Sequence, residues 1–136
     1  MMRPYLFVYG TLMSTATGAL GRGMRERLQR EARLLGPAST KGRLYDLGRY
    51  PALVDSELPA DLVHGEVFAL QEPAKSFAWL DKYEGIVPGQ HDHNEYRRVE
   101  RPVRLAGGQE ISAWVYLYRK SVVGAAHIAA GRWGSA

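Results

Sequence analysis

The sequence predicts an α+β fold: a single domain, residues 1–136, in which a curled mixed β-sheet or barrel of five to six strands carries one to two helices. Three observations support this prediction. Short apolar segments bounded by glycine or proline recur along the chain, as is typical of strands. Only two segments show helical spacing of their apolar residues. The length is that of one domain, and no change of composition marks a linker.

The first half of the chain predicts three strands, a short apolar run and a short helix. Residues 5–12 alternate like a strand and break at Gly10. The glycine-rich residues 14–23 predict a loop, and a short helix follows over residues 22–33, where apolar side chains recur at i, i+4 spacing. Two further strands are predicted at 42–48, which is bounded by glycines, and at 65–70, and a short apolar run at 51–54 follows a turn between them.

A second helix is predicted over residues 73–84, because Pro73 suits the first helical position and Gly85 the position just past the end. Glu84 then projects into the apolar face of this helix. A carboxylate there is costly unless it is hydrogen-bonded or has a raised pKa, and both conditions are common in catalytic carboxylates. The alternative is that Glu84 turns out to solvent as the last turn of the helix frays.

The second half predicts a hairpin. After a loop over residues 86–95, two long strands at 96–105 and 110–118 are joined by a turn at Gly107 and Gly108. The tail, residues 121–136, is predicted to be irregular, with Ile128 and Trp133 available as its anchors.

Composition excludes several classes of function. The chain has no cysteine, which rules out disulfides and thiolate chemistry. No segment approaches the roughly 20 apolar residues that span a bilayer, and the N-terminus does not resemble a signal peptide, so we expect a cytoplasmic protein without membrane partners. The net charge of +4 comes from arginines mixed with glutamates, which is more typical of a solvated face than of a nucleic-acid site. The oligomeric state stays open.

Two segments, about 70 residues apart, indicate a site. Gly10 ends the first strand within Tyr9-Gly10-Thr11-Leu12 and leaves backbone N–H groups free to bind a carboxylate or an oxyanion. Paired with Glu84, this turn predicts an acid–base active site. Tyr96 and Tyr118 are secondary candidates for the pocket wall.

Metal and nucleotide sites have little support. His91 and His93 are two residues apart in a polar loop, but no further ligand is recognisable elsewhere, so we predict no metal and no cofactor. The glycines of residues 18–23 do not follow a nucleotide-binding pattern.

Several motifs occur in an order that resembles the gamma-glutamylcyclotransferase family, in its AIG2-like and gamma-glutamylamine cyclotransferase branch. They are YGTL at 9–12, GRLY at 42–45 with YPALV at 50–54, GEVF at 65–68, LDKYEG at 80–85, YRR at 96–98 and AWVY at 113–116. One departure is Arg132, which stands where the family has an acidic residue. This departure affects only the docking of the tail.

The resemblance implies a curled-sheet fold of that family and a small gamma-glutamyl amide as substrate. The substrate's own α-amine would attack its γ-carbonyl and close 5-oxoproline, so no enzyme nucleophile, metal or cofactor is needed. It implies that Glu84 moves the proton and that Tyr9, Gly10, Thr11 and Leu12 contact the substrate. An alternative is a non-catalytic module on the same fold that binds a small ligand or a protein. A basic nucleic-acid-binding barrel is a third and weaker reading.

Overall fold

The structure is a computed structural model that describes residues 3–86 and 94–134. Eight strands and two helices lie in these residues. In chain order they are β1 (Tyr5–Val8), α1 (Arg22–Glu31), β2 (Ala32–Lys41), β3 (Arg43–Asp46), β4 (Pro51–Val54), β5 (Leu62–Leu70), α2 (Pro73–Tyr83), β6 (Tyr96–Leu105), β7 (Glu110–Tyr118) and β8 (Ala126–His127).

Five strands close into a barrel in the order β1-β5-β2-β6-β7. All neighbours are antiparallel except β1 and β7, which close the barrel in parallel with Leu6 opposite Trp114. A small sheet in the order β4-β3-β8 lies beside it. The predicted fold class, a curled mixed sheet or barrel of five to six strands with one to two helices, is therefore confirmed.

Strand β2 is the main element that the sequence reading missed. The predicted helix over 22–33 ends at Glu31, and the chain continues directly into a ten-residue strand that pairs with β5 and β6. Gly36 and Pro37 disfavour a central strand locally. The structure accommodates them through an irregularity in the β2–β5 register between Leu34 and Gly36, where Gly36 has a φ of 124°.

The other differences lie at the element ends. Strand β5 begins at Leu62 rather than at residue 65, and β1 ends at Val8, before the predicted break at Gly10. Part of the tail forms the short strand β8, where irregular structure was predicted. Ile128 and Trp133 do pack against the core, as expected of anchors.

The two helices contact one another, and Glu31, the last residue of α1, joins them. Its carboxylate accepts hydrogen bonds from Ser76 Oγ at 2.7 Å and Trp79 Nε1 at 2.9 Å, both on α2, and from Arg27 Nε at 3.0 Å. Burial alone would raise the pKa of Glu31, but these donors outweigh it and lower the pKa to about 2. These hydrogen bonds, called the Glu31 clamp below, hold α2 in place, and with it the C-terminal end of α2 that precedes Glu84.

Candidate active site

The site lies where the turn after β1 meets the end of α2. Thr11 Oγ1 and Tyr83 OH are 2.7 Å apart and share a hydrogen bond. The two segments singled out in the sequence are thus in direct contact, although Thr11 and Tyr83 are 72 residues apart in the chain.

Beside this contact lies a cavity of about 280 Å³. The predicted site residues Tyr9, Gly10, Thr11, Leu12, Glu84 and Tyr96 all line it. Tyr118 does not line it: its ring packs edge-on against that of Tyr96, with the ring centroids 5.3 Å apart. Four further aromatic residues line the cavity: Phe7, Tyr50, Tyr83 and Tyr116.

The turn after β1 offers unpaired backbone donors. Within residues 3–86 and 94–134, the N–H groups of Gly10, Thr11 and Leu12 donate to no protein acceptor. The carbonyl groups of the turn are engaged, because Gly10 O accepts from Met13 N at 3.1 Å and Thr11 O accepts from Arg25 Nη1 at 2.8 Å. The turn is therefore held through its acceptors, and its donors remain available for an anionic group.

Gly10 has a packing role that the sequence did not reveal. A Cβ at this position would lie 3.0 Å from Cγ of Pro51, the first residue of β4. Glycine thus lets the turn approach the small sheet, and Pro51 also lines the cavity.

Glu84 lies just past the last residue of α2. Its backbone N–H donates to Leu80 O at 3.0 Å, and Gly85 follows with a φ of 76°, so the helix ends where the sequence predicts. The side chain is half-buried on the cavity wall and does not extend into solvent, which corresponds to the first of the two sequence-based alternatives.

The carboxyl group of Glu84 has an unusual proton affinity. No donor among the described residues hydrogen-bonds to it. Burial, followed by the negative charge of Asp81, raises its pKa from 4.5 to about 8. Near neutral pH the group can therefore both hold and release a proton, as a general acid or base must.

Asp81 was not predicted as a functional residue. It precedes Glu84 by three positions and accepts a hydrogen bond from Tyr116 OH at 2.6 Å. Arg98 donates to both of its carboxylate oxygens, through Nε at 2.9 Å and Nη2 at 3.3 Å. The sequence did contain one signal for Asp81, because two acids at i, i+3 spacing lie on neighbouring positions of a helix surface. The positions of Arg98 and Tyr116 depend on strand pairing.

The tyrosines on the cavity wall are held through their hydroxyl groups. Tyr9 OH donates to the backbone carbonyl of Tyr116, and Tyr96 OH donates to that of Pro51 at 2.7 Å. Burial raises the pKa of Tyr9 and of Tyr96 well above the usual value, so both remain neutral. Their rings shape the cavity, and their hydroxyl groups fix the strands around it.

The possible metal ligands His91 and His93 lie outside the described residues. Among residues 3–86 and 94–134, no cluster of three or more histidine or acidic side chains is arranged to hold a metal ion. Neither α1 nor α2, the helices in this part of the chain, is long and apolar enough to cross a membrane.

The five-stranded barrel, with its small sheet and two helices, is the fold of gamma-glutamylcyclotransferase-like domains. The chain belongs to this family: the family profile described as "Gamma-glutamyl cyclotransferase, AIG2-like" matches residues 6–135.

Individual relatives agree with this assignment. A Vibrio cholerae protein, provisionally named gamma-glutamylcyclotransferase, is 36% identical over 124 residues, which are 88% of this chain and 86% of that protein. The solution structure of Escherichia coli ytfP is 30% identical, with a TM-score of 0.60 and 96% of each chain covered. A mouse AIG2-like protein shares the fold, with a TM-score of 0.69 at 20% identity, over 93% of this chain and 86% of its own.

Proposed function

We propose that the protein converts a gamma-glutamyl amide to 5-oxoproline by intramolecular cyclisation, with release of an amine or amino acid. The observation that carries this proposal is Glu84, whose pKa is raised to about 8 in a cavity that it shares with the unpaired N–H groups of residues 10–12. Membership of the family supports the reaction class.

The cavity suits the charges of a gamma-glutamyl group. Glu84 and Glu95 both line it, and no lysine or arginine side chain does so in the described part of the chain. Glu95, together with Glu84 in its ionised form, favours the substrate's α-ammonium group. The α-carboxylate, or the oxyanion that forms at the γ-carbonyl, would be bound by the backbone N–H groups of residues 10–12.

The reaction needs proton transfer but no protein nucleophile. The α-amine nitrogen forms a bond to the γ-carbonyl carbon, and the bond from that carbon to the leaving nitrogen breaks. Glu84 takes a proton from the α-ammonium group, which titrates near pH ~8 in its free state, and delivers it to the leaving nitrogen. Once the new bond has formed, a second proton passes from the attacking nitrogen to the leaving nitrogen, so the ring keeps one N–H and the amine departs as an ammonium ion. Because the pKa of Glu84 is also about 8, the transfer from the α-ammonium group is not strongly uphill.

The direct test is incubation with a panel of gamma-glutamyl amines, gamma-glutamyl dipeptides and glutathione, followed by mass spectrometry of the products. We expect 5-oxoproline from at least one of them. Two analogues sharpen the test, because N-acetylation removes the nucleophile and a beta-aspartyl analogue would require a four-membered ring. Neither should react, although both could bind as weak inhibitors. Release of glutamate in place of 5-oxoproline would instead indicate an amidase that uses water.

A protein that binds these compounds without turnover would be a ligand-binding module. We further propose that the reaction needs no metal or cofactor and takes place in the cytoplasm. Unchanged activity after dialysis against a chelator would support the first point, and cell fractionation would test the second. Activity restored by one divalent ion after such dialysis would contradict metal independence and direct attention to His91 and His93.

A further inference from the structure

We propose that Asp81 is a positioning residue that tunes the proton affinity of Glu84, and that Arg98 moderates its effect. The consequence for turnover rests on the proposed function, whereas the effect on Glu84 itself does not. Asp81 is not among the residues that line the cavity, so it acts through Glu84 and Tyr116 rather than on the substrate.

The Asp81 carboxylate is fixed from two strands. Tyr116 on β7 donates to Oδ1 at 2.6 Å, and Arg98 on β6 bonds to both oxygens. Residues 98 and 116 are opposite one another in the β6–β7 register, so one rung of the barrel supplies both donors. An aspartate bound in this way is held at one place, one helical turn before Glu84.

Arg98 is fixed as firmly as its partner. Its guanidinium carbon lies 4.0 Å from the ring centroid of Phe77 and 4.6 Å from that of Trp114, and its side chain is only 17% exposed. The cation is thereby kept beside Asp81. Because it carries the opposite charge, it opposes the effect of the Asp81 carboxylate on nearby groups.

Asp81, on α2, is the charged side chain that raises the proton affinity of Glu84, and the tyrosines around Glu84 carry no charge. Tyr9 after β1, Tyr96 on β6 and Tyr116 on β7 interact electrostatically with Glu84, and burial raises the pKa of each, so they stay neutral. Tyr83 on α2 is also neutral and lies near Arg25. Glu95 lines the same cavity and accepts from Tyr50 OH at 3.2 Å.

This arrangement predicts opposite shifts from two substitutions. Asp81→Asn removes the negative charge but keeps an oxygen that can accept from Tyr116 OH, so Glu84 should ionise at lower pH. Arg98→Gln removes the moderating cation, so Glu84 should ionise at higher pH. A neighbouring charge can shift a carboxyl pKa by about one unit. A purely structural role would not move the two variants in opposite directions.

The experiment measures the ionisation of the Glu84 carboxyl group in two ways. The first is a titration of its side-chain carboxyl by ¹³C NMR on protein with labelled glutamate, in which the Glu84 signal is the one missing from Glu84→Gln. The second is the pH dependence of kcat/KM for 5-oxoproline formation, whose rising limb should report the same ionisation. We expect shifts of about one pH unit, downward for Asp81→Asn and upward for Arg98→Gln.

The chain offers a matched control. Asp55 forms the same two-point pair with Arg101, at 3.1 Å and 2.8 Å, but neither residue lines the cavity. Asp55→Asn should therefore leave the Glu84 titration unchanged. Arg98→Lys keeps the positive charge and should shift the titration less than Arg98→Gln, which guards against a variant that folds poorly.

Each outcome is decisive. An unmoved Glu84 signal in folded Asp81→Asn, or shifts of the same sign in Asp81→Asn and Arg98→Gln, would overturn the inference. If the NMR shifts appear as expected while no gamma-glutamyl compound yields 5-oxoproline, the inference stands and the proposed function fails.

Discussion

Thr11 and Tyr83 share a 2.7 Å hydrogen bond that connects the turn after β1 to the last residue of α2. The contact is closely packed: a Cβ at Gly21 would lie 2.6 Å from Tyr83 OH and 3.0 Å from Thr11 Oγ1. Gly21 also has a φ of 80°, where other residues are strained, and it directly precedes α1. The start of α1 therefore encloses the bond that holds the two halves of the candidate site together.

Tyr83→Phe should reduce activity more than stability. The substitution keeps the ring and removes only the hydroxyl group, which costs about 1 kcal/mol of unfolding free energy. Loss of the bond frees the donor-rich turn to move relative to Glu84, and we expect kcat/KM to fall about tenfold because the two halves are no longer aligned. The measurement is steady-state kinetics alongside thermal unfolding.

Tyr45→Phe is the matched control for Tyr83→Phe. Within the described part of the chain, the Tyr45 hydroxyl group makes no hydrogen bond, and Tyr45 lies in the small sheet, away from the cavity lining. Equal kinetic losses in both variants would show that the Thr11–Tyr83 bond has no special role.

Glu84→Gln should lower turnover by about 10²–10⁴ while the fold survives. Glutamine keeps the shape of the side chain but cannot take a proton from the α-ammonium group. The exposed Glu57 supplies the control, since Glu57→Gln removes the same charge away from the cavity. Near-normal 5-oxoproline formation by Glu84→Gln would exclude Glu84 as the base.

The same substitution should affect stability in a pH-dependent way. The pKa of Glu84 is about 8 in the folded protein, and its ordinary value of 4.5 applies to the unfolded chain. Between these two pH values the folded protein therefore binds one more proton than the unfolded chain. Wild-type stability should therefore fall relative to Glu84→Gln as the pH rises from about 4.5 to about 8, and the difference should level off above that range. Thermal unfolding of both proteins across this window gives the measurement. A constant difference would mean that Glu84 ionises normally.

Glu31→Gln should weaken the clamp between α1 and α2. The carboxylate accepts from Ser76, Trp79 and Arg27, and we expect a loss of about 1–3 kcal/mol in unfolding free energy. Because the pKa of Glu31 is lowered to about 2, its contribution is present above about pH 4.5 and lost as the pH falls towards 2. Denaturant titrations at pH 7 and near pH 2 should differ accordingly. The exposed α1 residue Glu26 is the control, and a loss as large in Glu26→Gln would contradict the clamp.

Local sequence signals were sufficient for part of this protein. Pro73 and Gly85 delimit α2, because proline fits the first helical turn and glycine adopts the positive φ that follows the last. The hairpin of β6 and β7 follows from its alternating residues and its glycine turn. The position of Glu84 followed from helical periodicity alone. These features depend on neighbours within a few residues, and such interactions can be read along the chain.

Tertiary structure decided the rest. Strand β2 forms despite Gly36 and Pro37, because pairing with β5 and β6 outweighs the local preferences of those residues. Tyr116 and Tyr118 stand on one face of β7, yet Tyr116 lines the cavity while Tyr118 packs behind Tyr96. Arg98 and Tyr116 reach Asp81 only because the β6–β7 register sets them opposite one another. Such contacts join residues far apart in the chain, and their geometry exists only once the barrel has closed.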